Sequence, residues 1–129
     1  MEIITIKTSK RCEFVDITNE IAELVIDKSN IKSVLLYVPH TTAAVTINEN
    51  ADPTVVEDIL NHLEKMIPAS SYFKHMEGNS DAHIKSSLIG PSILIPVENG
   101  KMALGTWQGI YFAEFDGPRT RKLYVQFLS

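Results

Sequence analysis

The sequence predicts an α+β fold in which a mainly antiparallel β-sheet or sandwich packs with two substantial helices and one short helix. Three observations indicate this class. Apolar strand patterns occur towards both ends of the chain, a strong helical pattern occupies the middle, and Asn99-Gly100 marks a tight hairpin. The 129 residues, 44% of them apolar and 22% charged, suit a single domain spanning 1–129.

The first half of the chain predicts four strands and a helix. Apolar residues alternate with polar ones or run together around Ile4–Ile6, Glu13–Ile17, Ser33–Val38 and Ala43–Ile47. Thr18 is a suitable residue to begin a helix as its N-cap, and Asn30 can end that helix in the left-handed conformation.

The middle of the chain predicts the clearest helix. Asp52 is a good N-cap, Pro53 suits the first helical position, and Pro68 stops the helix. Apolar residues from Val55 to Met66 recur at helical spacing between them.

A polar loop and a short helix follow that long helix. Residues 69–81 predict the loop, because they combine glycine, asparagine, serine and charged residues. Asp81 is predicted to cap a short helix from Ala82 to Leu88, with Gly90 at its C-terminal end.

The last forty residues predict an antiparallel meander. Its strands are expected at Ser92–Val97, Lys101–Trp107, Ile110–Phe115 and Lys122–Phe127.

Composition excludes several classes of function. The net charge is −4 without a block of like charges, so we expect neither a nucleic-acid partner nor a membrane surface. No apolar run has the roughly 18 residues that span a bilayer, and residues 1–5 lack the features of a signal peptide. Cys12 is the only cysteine, which rules out an intramolecular disulfide and favours a cytoplasmic location.

Three of the four histidines lie in polar settings that suit chemistry. His40 directly follows a predicted buried strand, while His75 and His83 bracket a segment that contains Glu77 and Asp81. Imidazoles beside carboxylates can hold a divalent metal or perform acid/base catalysis. Three histidines favour zinc over magnesium, which prefers oxygen ligands but is not excluded.

A purely structural role for these histidines is an equally open interpretation. Their spacing matches no standard metal motif, so the segment can equally be a capped polar loop. Glu77 is a candidate base or direct metal ligand, and Thr41 and Thr42 add hydroxyl donors beside His40.

Further polar residues have both a functional and a structural interpretation. Asn48 and Glu49 either line a cleft or belong to the segment that begins the long helix. Trp107 and Gln108, flanked by glycines, indicate a bulge or a close backbone approach.

Glu114 is expected to need a partner, because it lies among apolar residues of a predicted strand. Arg119 and Arg121 can pair with Glu114 or grip a phosphate.

Five motifs together resemble the YjbQ family over essentially the whole chain. They are His40-Thr41-Thr42, the segment Asn48 to Pro53, the segment His75 to His83, the segment Gly105 to Gly109, and the stretch from Glu114 to Arg121.

The resemblance implies a small α+β protein that forms a homotrimer, with its shared histidines in a pocket near a subunit boundary. It also implies a weak thiamine-phosphate synthase activity, which joins hydroxymethylpyrimidine diphosphate to a thiazole phosphate. The family's motif histidines correspond to His40, His75 and His83, and Glu49 and Glu114 correspond to pocket carboxylates. Either Glu49 or Glu77 is expected to act as the catalytic base.

Loss of diphosphate in that reaction requires positive charge, which Lys85, Arg119 and Arg121 are expected to supply. Two alternatives accompany this transferase: a metal-dependent hydrolase of a small phosphorylated metabolite, and a non-catalytic protein that binds a metal or a ligand.

Overall fold

Two antiparallel sheets and three helices make up the chain, which a computed structural model describes from residue 1 to residue 129. The elements are β1 (Glu2–Lys7), β2 (Glu13–Asp16), α1 (Thr18–Ile26), β3 (Ser33–Tyr37), β4 (Ala43–Glu49), α2 (Pro53–Met66), α3 (Ser80–Ile89), β5 (Ser92–Glu98), β6 (Lys101–Met102), β7 (Gln108–Glu114) and β8 (Thr120–Leu128). The predicted α+β class is therefore confirmed.

The strand order joins parts of the chain that are far apart in sequence. One sheet has five strands in the order β1-β8-β3-β5-β6, and the other has three in the order β2-β7-β4. All neighbouring strands are antiparallel. Because β8 lies between β1 and β3, the last strand in sequence is an interior strand of the larger sheet.

The main apolar core lies between the two sheets and α1. Alternate residues of each strand point into it, such as Val34 and Leu36 from β3, and Ile110 and Phe112 from β7. Helix α1 adds its own apolar face to the same cluster.

The opposite face of the three-stranded sheet carries α2 and α3. Ala44 and Ala113 are direct partners in the sheet, and they form a second cluster with Ala82 of α3. Their small side chains let α3 approach the sheet closely. Leu60 and Leu63 of α2 are partly buried against this cluster.

Several local predictions are confirmed by backbone geometry. The Asp52 carboxylate accepts a hydrogen bond from the Thr54 amide at 3.0 Å, so Asp52 caps α2. Asn99 and Gly100 have φ angles of 54° and 76°, which a two-residue type I′ hairpin turn requires.

Other predictions of element boundaries are wrong. The strand predicted at 101–107 ends at Met102, because Gly105 and Gln108 form a turn in which the Gln108 side chain accepts a hydrogen bond from the Gly105 amide. Thr18 is the first residue of α1 and not its cap, and Asn30 has a φ of 63° but lies beyond the end of α1 at Ile26.

Helix α3 is longer than predicted and begins differently. It has ten residues, one more than α1, and Asn79 stands at its N-cap position. Asp81 does not cap it, because the Asp81 carboxylate turns inward to Arg11. None of the three helices has the length and hydrophobicity of a transmembrane segment.

Candidate functional site

His40 is held at the end of β3 by a bond to the neighbouring strand. The chain leaves β3 after Tyr37, and Pro39 cannot continue the ladder because it has no N–H. The Lys122 amide of β8 then donates a hydrogen bond to His40 Nε2 at 2.9 Å. A backbone donor in a sheet cannot swing away, so it fixes the orientation of the imidazole.

His83 is placed by the packing of α3 on β4. Ala82 of α3 and Ala44 of β4 are fully buried in one cluster, which fixes the rotation of the helix. Ser86 and Ser87 lie three and four residues after His83, so the three side chains share one side of the helix.

The two histidines meet at an open pocket of about 260 Å³. Its walls are His40, Thr41, Ala43, His83, Ser86, Ser87 and Pro91. Imidazoles and hydroxyls supply the polar groups, and no aspartate or glutamate is among these residues.

His75 lies beside His83 but outside the walls of that pocket. The two imidazole rings meet edge to face, with their centroids 5.4 Å apart. His75 Nε2 is 3.8 Å from a Glu77 carboxylate oxygen, and both side chains are largely exposed.

The three predicted metal ligands are not gathered into one set. No group of three or more histidine, cysteine, aspartate or glutamate side chains in the chain is arranged to hold a metal ion. His40 is further committed, because the bond from Lys122 occupies the lone pair of its Nε2.

Burial lowers the pKa of His40, and the positive charge of nearby Arg121 lowers it further. His40 is therefore favoured in its neutral form near pH 7.

Glu114 and Arg121 form a buried ion pair beneath His40. Both lie on the inner faces of the sandwich, where their side chains are 0% and 3% exposed. Arg121 donates two hydrogen bonds to the Glu114 carboxylate and another to Thr42 Oγ1 at 2.8 Å. Thr8 Oγ1 also donates to Glu114, at 2.8 Å.

Burial alone would raise the pKa of Glu114. The bonds from Arg121, the Asp116 amide and Thr8 outweigh burial, so the pKa lies below its ordinary value. Glu114 is a stable carboxylate with its acceptors occupied, which leaves it no free lone pair directed at a ligand.

Lys85 is also buried and paired. Its ammonium is 2.7 Å from the Glu64 carboxylate and 3.7 Å from that of Asp81. Asp81 in turn accepts two bonds from Arg11, at 3.0 and 3.2 Å. Burial would raise the pKa of Asp81, but the bonds and charge of Arg11 bring it below the ordinary value.

Arg119 is half exposed on the turn before β8. Its guanidinium donates to the Asp116 carbonyl at 2.9 Å and to the Asp116 carboxylate at 3.2 Å. Of the three cations expected to bind phosphate, Arg119 is the only one that reaches solvent.

A second group of predicted site residues lies at the far end of the three-stranded sheet. Glu49 pairs with Gln108 in the strand register, whereas Ala43 pairs with Glu114. Six residue steps at about 3.3 Å separate these two ends by roughly 20 Å. Asn48, Glu49, Trp107 and Gln108 therefore do not meet His40 and His83 within one chain.

A larger cavity of about 340 Å³ lies between α1 and the β5–β6 hairpin. Apolar side chains such as Ala22, Met102 and Leu104 dominate its walls, with Lys101 as the one charged residue. It has no acid or base suited to proton transfer near pH 7, so the histidine pocket is the better candidate site.

Ser86 and Ser87 were missed by the sequence interpretation. Their spacing of three and four residues from His83, within the short predicted helix, is the signal that could have placed them beside it. Arg11 was missed because its partner Asp81 lies 70 positions away in sequence.

Comparison with known proteins gives one consistent result. A sequence model of the family described as "UPF0047 protein YjbQ-like" matches residues 2–129. The UPF0047 protein MJ1081 of Methanocaldococcus jannaschii is 58% identical, over 96% of this chain and 91% of that protein. The UPF0047 protein YugU of Bacillus subtilis is 50% identical, over 100% of this chain and 99% of that protein.

Solved structures of related proteins have the same fold. A crystal structure of a YjbQ/UPF0047 family protein from Clostridium acetobutylicum superimposes with a TM-score of 0.96 at 51% identity, covering 99% of this chain and 100% of that one.

Proposed function

We propose, because the chain belongs to the YjbQ-like UPF0047 family, that it is an enzyme acting on small phosphorylated substrates at the His40–His83 pocket. The observation that carries this proposal is the convergence of two imidazoles and several hydroxyls on one open pocket without a carboxylate. Hydrogen-bond donors without competing negative charge suit the oxygens of a phosphate group.

The reaction we propose is a slow transfer like that of thiamine-phosphate synthase. A thiazole nitrogen attacks the methylene carbon of hydroxymethylpyrimidine diphosphate. A carbon–nitrogen bond forms while the carbon–oxygen bond breaks, and diphosphate leaves with the electron pair. The residues of the pocket bind and orient the phosphate oxygens.

The slow rate that we propose follows from the small amount of unpaired positive charge around the pocket. Lys85 and Arg121 are committed to Glu64, Asp81 and Glu114, so they contribute little to neutralising diphosphate. The imidazoles and Arg119 therefore stabilise the departing diphosphate. The transfer itself releases no proton, so Glu77, beside His75, is the candidate base for the hydrolase alternative.

The test is formation of thiamine phosphate from the two substrates by the purified protein. His40→Ala and His83→Ala are expected to lower turnover by about 10²-fold, within the range for lost acid/base or donor groups. His62→Ala is a matched control, because His62 is exposed on α2 and lies outside the pocket. Turnover that survives both pocket variants would remove the activity from this site.

We extend the proposal to a homotrimer that works in the cytoplasm. Exposed apolar side chains on the outer face of the five-stranded sheet support self-association, with Ile3, Tyr37 and Leu94 being 52%, 45% and 60% exposed. In such an assembly a neighbouring copy can bring Asn48, Glu49, Trp107 and Gln108 to the pocket. Light scattering on the purified protein measures the subunit number, and a monomer would contradict the extension.

A metal-dependent hydrolase is the second candidate, favoured by the contact between His75 and His83. These two imidazoles with Glu77 nearby can begin a zinc or magnesium site, although a further ligand must come from elsewhere. Elemental analysis of the protein beside a His75→Ala/His83→Ala variant tests this candidate. Near-stoichiometric metal that the variant loses would favour it over the transferase.

A non-catalytic binding protein would use the same pocket without turnover. Binding of a phosphorylated ligand, with no product detected from any of the substrates above, would favour this alternative.

A further inference from the structure

We propose that His40 is a fixed neutral hydrogen-bond donor and that it forms, with His83 and Ser86, a subsite for a tetrahedral oxyanion. The ligand class is a phosphate group, either carried by a substrate or present as inorganic phosphate. This proposal rests on the proposed function, whose pocket it uses, and it assigns specific roles to His40 and Ser86 in that pocket.

The role of His40 follows from the bond that holds it. Because Nε2 accepts the Lys122 amide hydrogen at 2.9 Å, Nε2 carries the lone pair and the ring proton lies on Nδ1. Nδ1 has no hydrogen-bond partner within the chain, while the imidazole lines the pocket. His40 therefore offers the pocket an N–H and not a lone pair.

The same bond argues against His40 as a metal ligand. A metal on Nδ1 would need the lone pair of that nitrogen while Nε2 still accepts from Lys122, and only an imidazolate has both lone pairs free. An oxyanion makes no such demand, because it accepts the Nδ1 hydrogen directly.

Ser86 supplies the second, independent observation. Its side chain lines the pocket and is 7% exposed, and its hydroxyl has no hydrogen-bond partner in the chain. The neighbouring hydroxyl of Ser87 is already used, since it donates to the His83 carbonyl at 2.9 Å. A buried hydroxyl without a partner costs free energy, which rotation of the Ser86 side chain towards a ligand oxygen in the pocket recovers.

Because no carboxylate lines the pocket, the ligand is expected to carry a negative charge. An anion entering the pocket meets imidazole, hydroxyl and no negative charge. The two buried carboxylates are both occupied: Glu114 by Arg121 and Thr8, and Asp81 by Arg11. A divalent cation would find no oxygen ligand of opposite charge on these walls.

The first experiment reads the tautomer of His40 in the full chain. Long-range ¹H–¹⁵N spectra of the histidine side chains distinguish a ring protonated on Nδ1 from one protonated on Nε2, and His40→Ala assigns the signal. We expect the Nδ1–H form for His40 at pH 7.5. An Nε2–H ring or an imidazolium would overturn the proposal, whatever the turnover of the protein.

The second experiment measures binding of inorganic phosphate and of the thiazole phosphate by the same spectra. We expect His40→Ala and Ser86→Ala each to weaken binding about tenfold or more. His40→Asn is expected to retain most of the affinity, because its amide N–H stands near the position of the imidazole Nδ1–H. His62→Ala is the matched control and should bind normally.

Each outcome supports or overturns one part of the proposal. Equal loss in His40→Asn and His40→Ala would overturn the donor role, and unchanged binding in Ser86→Ala would overturn the subsite. Tighter binding of the thiazole phosphate supports the subsite as part of a substrate site, and equal affinity supports it as a site for free phosphate. Phosphate binding without thiamine phosphate formation would contradict the proposed function alone, so the two failures are distinguishable.

Discussion

The two ends of the three-stranded sheet hold their polar side chains under opposite conditions. At the His40 end, Glu114 and Arg121 are buried and paired with each other. At the far end, Glu49 is only partly buried and forms no ion pair within the chain, and Trp107 is 62% exposed. The first end is rigid because its buried charges need their partners, whereas the second end keeps its side chains free to contact another molecule.

Rigidity at the His40 end serves the pocket directly. Arg121 bonds to Thr42, and the amide of the next residue, Lys122, bonds to His40. The buried pair therefore fixes both sides of the turn that carries the imidazole. Pre-organised donors of this kind need no reordering when a ligand arrives.

The largest expected effect comes from breaking that pair. Glu114→Ala leaves the Arg121 guanidinium buried without its counter-charge, so we expect a loss of about 3–5 kcal/mol in the free energy of unfolding. Urea denaturation measures it. Glu98→Ala, at an exposed position of the β5–β6 hairpin, is the control and should change stability by no more than about 0.5 kcal/mol. A loss in Glu114→Ala as small as that of the control would show that the pair is hydrated.

A smaller effect is expected at Lys85, on the helix that carries His83. In Lys85→Met, Asp81 keeps two bonds from Arg11, and the half-exposed Glu64 turns to water. The expected loss is about 1–3 kcal/mol, because one buried charge loses only part of its compensation. Lys65→Met is the matched control, since Lys65 is exposed on α2. A loss equal to that of Glu114→Ala would mean that Arg11 does not satisfy Asp81 in solution.

The comparison also separates what the sequence reveals from what it hides. Local rules located β3 from its apolar run, α2 from Asp52-Pro53 and the hairpin from Asn99-Gly100, because each signal lies within a few neighbouring residues. The order β1-β8-β3 was not predictable in the same way, since it pairs residue 2 with residue 125. Such pairing depends on contacts that are distant in sequence.

For the candidate site, the sequence identified residue types correctly but not which residues lie together. The sequence picked out His40 and His83 by residue type, and the structure brings them to one pocket. It also grouped Glu49 and Trp107 with them, although the direction of β4 and β7 places those residues at the other end of the sheet. The sequence did not indicate Ser86, because a buried hydroxyl without a hydrogen-bond partner can be recognised only in the folded structure.

The third prediction concerns the pH dependence of the stability that the paired carboxylates contribute. Glu114 and Asp81 both have pKa values below the ordinary range in the folded state. Their stabilisation is therefore complete above the unfolded pKa of about 4 and disappears as the pH falls through the lower folded pKa. We expect the difference in unfolding free energy between the wild type and Glu114→Gln to narrow as the pH is lowered below 4. A difference that stays constant down to the acid transition would contradict the depressed pKa of Glu114.

The smallest effect on stability is expected at the far end, with Glu49→Ala. The Tyr111 hydroxyl donates to the backbone carbonyl of Glu49 at 3.0 Å, so the substitution keeps that bond and removes only the carboxylate. We expect a change within about 0.5 kcal/mol by urea denaturation. If a neighbouring copy brings Glu49 to the pocket, turnover should fall while stability holds. Mixing Glu49→Ala with His83→Ala subunits, after denaturation and refolding together, should then restore part of the activity, whereas either variant refolded alone should not recover. Normal turnover in Glu49→Ala would confine the site to the His40 end and leave the two ends with separate roles.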